Sequence, residues 1–452
     1  MQIDPGQPSI ALMEPIVIIG GGLAGCEAAW QISKRGGRVV LYEMKPHTYS
    51  PAHRSPFLAE IVCSNSFKSE SLENGPGILK AELGLLDSLI LGAARETRVP
   101  AGDSLAVDRE VFSGRVTEAL EGSDRVEIIR EEVTAIPDGK TVIVATGPLT
   151  SEPLVREIQG ITGDRHLFFY DAISPIVTAE SIDFGKAFKA SRYGKGGGQD
   201  YVNCPMEEET YYRFVNAINE AEKVPVREFE KQYLFEGCLP VEELASRGKD
   251  TLAFGPLKPV GLVDPRTGKQ PFAVVQLRQE DRFETLFNMV GFQTRLKPDE
   301  QKRVFRMVPG LEKVEFARLG SVHRNTFIDS PRILTESLQF RRRPGLFLAG
   351  QITGVEGYME STAMGLLAGI NALRVSKAMA PSVPPPGTAI GALIHYIVHS
   401  GTLPFQPMNM HFGLFPPLSG KARGREKRRL LAERALSDMN AWVKRVEEAG
   451  GL

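Results

Sequence analysis

Three short apolar runs stand far apart in the chain: Pro15–Ile19 (PIVII), Thr141–Thr146 (TVIVAT) and Gly345–Ala349 (GLFLA). Apolar on both parities, they read as strands buried on both faces, as in a parallel sheet covered by helices. The first runs into a glycine-rich turn. A helix is predicted to follow through about Arg35, with Gly36 and Gly37 as breakers, and then a strand over Arg38–Tyr42 (RVVLY) ending at Glu43. Strand, helix and strand occupy the span of one βαβ unit. Between about 191 and 319 the texture changes. The glycine stretch Gly194–Gly198 opens a region of mixed short segments without βαβ alternation. Pro381–Pro386 (PSVPPP) reads as a stiff loop, and helices are predicted over Ala389–Ser400 and Gly424–Glu448.

This pattern predicts an α/β fold: a Rossmann-type, glutathione-reductase-like dinucleotide-binding domain interrupted by a smaller α+β domain. The expected boundaries are a disordered leader over 1–12, with Met13 as a plausible original start, a first part over 13–190, an insertion over 191–319, and a second part over 320–452 carrying the C-terminal helices. At 452 residues the chain can bury one large core and a second, smaller one.

Composition narrows the functional classes. With 42% hydrophobic and 24% charged residues the chain is ordinary for a globular protein, and its formal net charge of −1 exerts no global pull on nucleic acid or anionic lipid. Arg341–Arg343, Arg295–Arg306 and Lys421–Arg429 are basic islands, each explicable as a solvated face. The absence of a run of 18 apolar residues and of a signal peptide leads to the expectation of a cytoplasmic protein without a membrane span. Cys26, Cys63, Cys204 and Cys238 show neither CxxC nor His/Cys metal spacing, so no metal site is expected.

Gly20, Gly22 and Gly25 form G-x-G-x-x-G directly after a strand and at the start of a helix. Gly20 permits the tight turn, Gly22 lets the backbone approach a pyrophosphate, and Gly25 allows close strand–helix packing. Gly20, Gly21, Gly22, Leu23, Ala24 and Gly25 are thus predicted to hold a dinucleotide, with Glu43 accepting hydrogen bonds from a ribose. The chain does not go on with regular βαβ units, as a nicotinamide enzyme would. It returns at a strand ending in Gly350 and Gln351, before a small-residue helix beginning near Gly357. Such a helix suits close packing beside a flavin, or simply a tight Gly/Ala core, and the ligand is read as FAD.

Several segments together resemble one family. They are Gly20–Gly25 (GGGLAG), Leu58–Lys68 (LAEIVCSNSFK), Phe235–Glu242 (FEGCLPVE), Phe254–Leu262 (FGPLKPVGL), Gln276–Asp281 (QLRQED), Gly291–Lys297 (GFQTRLK), His323–Phe327 (HRNTF), Leu348–Glu360 (LAGQITGVEGYME) and Phe412–Leu418 (FGLFPPL). From Met13 onward the chain is similar to the folate- and FAD-dependent tRNA (uracil-5-)-methyltransferases. The resemblance implies methylation of the T-loop uridine at tRNA position 54, with methylenetetrahydrofolate as carbon donor and FAD recharged by NAD(P)H as reductant. Cys238 matches the family position for a nucleophile at uracil C6, and Cys63 a second cysteine acting near the flavin. Cysteine suits such chemistry as a strong nucleophile and a good leaving group, although most cysteines are small buried hydrophobes. On this reading Cys26 is a packing residue, and Cys204 is structural or ambiguous. Lys258 and Arg278 are candidates for a folate tail or a phosphate, and His323 and Asn325 for the pterin pocket; surface charge and a core histidine are the plain alternatives. Three rivals are the sister flavin–folate enzyme of the tRNA wobble uridine, which is longer at its C-terminus, a general FAD oxidoreductase, and a flavin-bearing RNA-binding protein without catalysis.

Overall fold

The structure is a computed structural model that describes residues 14–163, 167–225, 239–401, 405–418, 420 and 422–448. The expected leader over 1–12 with Met13, as well as Cys238 and Lys421, lie outside the described residues.

Strand β1 (Ile16–Ile19) is buried throughout, as an all-apolar run between two parallel neighbours must be. Helix α1 (Leu23–Ser33) and strand β2 (Val39–Tyr42) complete the βαβ unit. β1 pairs in parallel with β2 on one side and with Val142–Val144 on the other. Leu346–Leu348 adds at one edge and Val126–Ile129 at the other, giving five parallel strands. The chain order of these strands therefore reverses across β1, and ligands of open α/β sheets bind at such a switch point, outside the carboxyl ends of the strands.

The helix over Tyr358–Ser376 is buried along nearly its whole length. A Cβ added at Gly365 would lie 2.1 Å from the Ala24 carbonyl oxygen, and one at Gly369 would lie 2.8 Å from that of Ala28. The small residues of this helix thus let it lie directly against α1, and only its first turn reaches the ligand cleft.

A second sheet is antiparallel, in the order Phe188–Lys189, Tyr201–Met206, Ala273–Gln279, Leu286–Met289, Ile176–Thr178, Phe316–Arg318. It has its own core, in which Val177, Cys204, Phe214, Val275 and Phe305 are buried. The chain enters and leaves this unit through one antiparallel pair, Leu167–Ile173 with Ser321–Phe327, which places His323 opposite Asp171. Strand Ile176–Thr178 and residues Ile182 and Ala187 of this second core all precede residue 191.

Helices Ala389–His399 and Gly424–Glu448 close the first domain. The buried carboxylate of Glu82 accepts from the first backbone N–H groups of the former, Ala389 at 2.6 Å and Ile390 at 2.9 Å, an acid placed on a helix N-terminus. No helix among the described residues is long and apolar enough to cross a membrane.

Candidate active site

A cleft of about 1100 Å³ lies at the carboxyl ends of the parallel strands, lined by Gly20–Ala24, Tyr42–Lys45, Glu131–Val133, Ala145–Ser151 and Gly350–Gln351. Gly20 has φ +104°, and a Cβ there would lie 2.7 Å from the Ala145 carbonyl oxygen. Gly25 is tighter still, since its Cβ would lie 1.8 Å from the Gly20 carbonyl oxygen. A Cβ on Gly22 would meet no atom within 4 Å. The motif glycines thus divide into two that bring backbone together and one that leaves the cleft open. No side chain caps α1, so its first N–H groups have no intrahelical acceptor and their positive dipole end faces the cleft. Glu43 is pinned by two backbone donors, Gly21 N–H to Oε2 at 2.9 Å and Lys45 N–H to Oε1 at 3.0 Å. Open turn, uncapped helix and fixed carboxylate fit the pyrophosphate and ribose of a dinucleotide. Gly20–Ala24, Glu43, Gly350 and Gln351 all line this cleft, while Gly25 lies beneath it.

A second cavity of about 740 Å³ is lined by Cys63, Lys68, Asp171, His323, Asn325, Gln351, Glu356 and Tyr358, among others. Val62, Pro148, Leu149, Gln351 and Tyr358 line both spaces, which therefore adjoin one another. The fold brings Cys63, His323, Asn325 and Gln351 together here. Lys258 is exposed and lines neither cavity.

Arg278 is buried beside the cavity, donating through Nε to Asn65 Oδ1 at 2.8 Å and through Nη2 to Ser64 Oγ at 2.6 Å. It therefore braces the loop that carries Cys63. Arg109 grips the same loop from the other side, donating to the carbonyls of Ile61 at 2.7 Å and Cys63 at 3.0 Å while paired with buried Glu280. Arg318 donates to the Val62 carbonyl at 3.1 Å, and the Tyr358 hydroxyl accepts from the backbone N–H groups of Cys63 at 3.0 Å and Ser64 at 3.2 Å. Each buried cation is matched to carbonyls or a carboxylate, which is the condition for burying charge at all.

The Cys63 thiol lies 3.9 Å from the Ala172 carbonyl oxygen, and burial, then the Asp171 charge, pushes it above the ordinary thiol range. It is protonated at neutral pH in this arrangement. Burial and then the neighbouring cation Arg318 lower His323, which holds its imidazole neutral, with Nε2 3.0 Å from Ser321 Oγ. Burial pushes Asp171 up to about 6. Glu356 is pushed up to about 8, by burial first and then by Asp171. Asp171, Glu356 and Tyr358 were not singled out from the chain. Glu356 and Tyr358 stand inside the GVEGY segment already noticed for its glycines, whereas nothing in the local pattern marked Asp171.

Cys26 is buried and donates its S–H to the Gly21 carbonyl at 3.2 Å, and Cys204 is buried in strand Tyr201–Met206 of the second sheet; both pack in the core. Glu336, His395 and His399 bring three potential ligand atoms within 4.8 Å of one another on the surface, and none of them lines either cavity.

The basic stretch Arg295–Arg306 is not a free cationic face. The helix there begins only at Pro298. Arg295 pairs with Glu242 and Glu243, Lys297 with Glu222, Lys302 with Asp299 and Arg303 with Glu300, while Arg306 donates to the Val314 carbonyl. In the C-terminal island Arg425 pairs with Glu73 and Arg429 with Glu433, while Arg423, Lys427 and Arg428 are exposed.

Fold and cleft together define a Rossmann-type dinucleotide-binding protein with a second, antiparallel unit beside the cleft. A family model described as Glucose inhibited division protein A matches residues 15–380. The methylenetetrahydrofolate--tRNA-(uracil-5-)-methyltransferase TrmFO of Geobacter sulfurreducens is 60% identical over 428 residues, covering 95% of this chain and 98% of that protein. The protein of the same name from Moorella thermoacetica is 55% identical over 431 residues, covering 95% and 98%. The chain belongs to this enzyme family, the methylenetetrahydrofolate--tRNA-(uracil-5-)-methyltransferases, within the wider Glucose inhibited division protein A group. Among solved structures, Aquifex aeolicus GidA in its form II crystal superposes with a TM-score of 0.68 at 18% identity, covering 98% of this chain and 77% of that longer one, a likeness of fold.

Proposed function

We propose that this chain places a methyl group on C5 of the uridine at position 54 of tRNA, taking the carbon from methylenetetrahydrofolate. The observation that carries this reading is the adjacency of the two cavities. A dinucleotide cleft shares a wall with a chamber lined by a thiol, a histidine and two carboxyl groups. The names of the relatives separate this reading from a general FAD oxidoreductase, because they point to uracil.

FAD would be held with its pyrophosphate on Gly20–Ala24, its ribose on Glu43 and its ring towards Gln351, where it supplies the electron pair that turns a methylene into a methyl group. NAD(P)H is the proposed source of those electrons, and the cytoplasm the proposed location. Uracil C5 is nucleophilic only after a group adds to C6; Cys238 is proposed for that addition. Cys63, being protonated, is placed to occupy the wall of the ring pocket, with its loop braced by Arg109, Arg278, Arg318 and Tyr358. His323 and Asn325 offer a flat ring and an amide to the pterin, and the base must be splayed out of the RNA to arrive there.

The deciding assay incubates purified yellow protein with unmodified tRNA transcript, methylenetetrahydrofolate and NADH, followed by nucleoside mass spectrometry. 5-Methyluridine at position 54 is expected; its absence sinks the reading, and product at the wobble position favours the sister activity.

The RNA surface is assigned to Arg423, Lys427 and Arg428, because the cations of the rival stretch are paired with carboxylates or, for Arg306, with a carbonyl. Reversing all three to Glu is expected to weaken tRNA binding at least ~30-fold at low salt and to reduce the log–log salt slope by about 2. Filter binding across a salt series measures both, and an unchanged slope would assign the RNA to another face.

A further inference from the structure

Away from both cavities, the described residues bring together a further group of metal-ligating side chains: Glu336, His395 and His399, all exposed. The cysteines of the chain show no metal spacing, but these two histidines do. They stand four residues apart on the helix Ala389–His399, so both rings project from one face. Their ring centroids are 4.9 Å apart. The rest of that helix is anchored, with Leu393, Ile394 and Ile397 buried in the main core.

Glu336 comes from the segment after the short helix Ser330–Ile333. Its neighbours are fixed. The Thr335 N–H donates to the Gln339 carbonyl at 2.9 Å, the Thr335 and Ser337 hydroxyls lie 2.9 Å apart, and Leu334 and Leu338 are buried in the same core. The backbone at each of the three positions is therefore set by the fold, and only exposed side-chain ends have freedom to adjust.

His399 Nε2 and Glu336 Oε1 are 2.7 Å apart. An exposed pair of this kind contributes little to stability, and it accounts for two of the three groups only. It does not explain why the His395 ring lies beside that of His399. A single cation held by all three accounts for the whole arrangement.

We propose that Glu336, His395 and His399 form a binding site for a divalent metal ion, with zinc the best fit. Two imidazoles and one carboxylate are donors that zinc takes when its fourth position is left to water. Magnesium and calcium prefer sets of oxygen ligands. Zinc holds nitrogen and oxygen ligands at about 2.0–2.2 Å, which sets tetrahedral donors roughly 3.4 Å apart. The donor atoms here lie within 4.8 Å of one another, so closure needs movements of about 1.4 Å at most. Rotation of exposed side chains supplies that. Binding replaces the His399–Glu336 hydrogen bond by a bond from each residue to the metal.

The ion ties the helix Ala389–His399 to the segment after Ser330–Ile333. Tyr396, between the two histidines, donates from its hydroxyl to the Gln406 carbonyl at 2.9 Å. Just beyond, the Met408 carbonyl accepts from the Glu356 N–H at 2.9 Å, and Asn409 Oδ1 accepts from Lys68 at 2.6 Å. Glu356 and Lys68 line the second cavity. The metal is thus a clip on the support behind that wall, with no part in the chemistry, and its assignment is independent of the methyl-transfer reading.

The test uses full-length, flavin-bearing protein without an affinity tag, stripped of metal by a chelator. Equilibrium dialysis follows Zn2+, absorbance beyond the flavin bands follows Co2+, and the thermal midpoint is taken with and without Zn2+. Wild type should bind one equivalent of Zn2+ more than His395→Ala, His399→Ala or Glu336→Gln, each of which should weaken this site at least ~10-fold. Zinc held by thiols elsewhere is common to all four proteins and cancels. Tetrahedral Co2+ bands and a midpoint raised by Zn2+ should appear in wild type and be lost in the three variants. Glu336→His, which supplies a third imidazole, should keep the site. Without metal the variants should melt with wild type, because the substituted side chains are exposed. Equal Zn2+ binding by wild type and both histidine variants overturns the proposal. Binding that is lost in His399→Ala and Glu336→Gln but intact in His395→Ala also overturns it, since the three-ligand site requires His395.

Discussion

Gly25→Ala is expected to purify colourless and less stable. The added methyl would sit 1.8 Å from the Gly20 carbonyl oxygen, and neither atom can turn aside because both belong to the backbone of one turn. Relief requires α1 to move off β1, which widens the turn and also disturbs the contact of Ala24 and Ala28 with Gly365 and Gly369. Overpacking of a core costs roughly 1–3 kcal/mol and sometimes more; a backbone-on-backbone clash belongs at the upper end. The ratio of flavin to protein absorbance should fall to near zero, and the thermal midpoint by several degrees. Gly22→Ala is the informative comparison. Its methyl meets no protein atom within 4 Å, so stability should be unchanged, yet it projects into the cleft where a pyrophosphate would lie, and flavin should again be lost. Full flavin content in Gly22→Ala would mean that the phosphates do not rest on this turn.

Cys238→Ala is expected to keep its yellow colour and its fold and to make no 5-methyluridine. Removing a covalent nucleophile typically costs about 10⁴–10⁶ in turnover, far more than the loss of any binding contact. The same variant should form no denaturant-stable complex with tRNA, because nothing adds to C6. Cys63→Ala should still form that complex, since Cys63 is proposed to act near the flavin and Cys238 to attack C6. Comparing the two on a denaturing gel separates nucleophile from neighbour. Product from Cys238→Ala above a tenth of wild type would remove that residue from the mechanism.

The contrast between the motif glycines and the carboxyl pair shows what could be read from the chain. GGGLAG lies between an apolar strand and a helix, and its meaning is local: tight turn, close backbone approach and free N–H groups all arise within a few residues. The apolar runs at Ile16, Val142 and Leu346 announced their own burial for the same reason. The Cys63 loop is different. Its shape depends on Arg109, Arg278, Arg318 and Tyr358, drawn from four distant segments, and no spacing rule links them. The pairing of the basic stretch at Arg295–Arg306 could not be read from its own residues, because Glu242 and Glu243 come from the helix Val241–Ser246 and Glu222 from just beyond the helix Glu208–Glu220.

The sequence by itself determined the cradle, Gly20 to Gly25 with Glu43, because the geometry of a phosphate turn is a property of consecutive residues. Only the tertiary structure decided that Asp171 and Glu356 face one chamber with Cys63, that Arg278 braces a loop, and that the Gly365 face packs on α1. These are consequences of burial, and burial depends on which distant surfaces meet. The proton affinity of a carboxyl is set by its surroundings: Glu356 is an ordinary acid in the chain, and burial in the folded protein raises it.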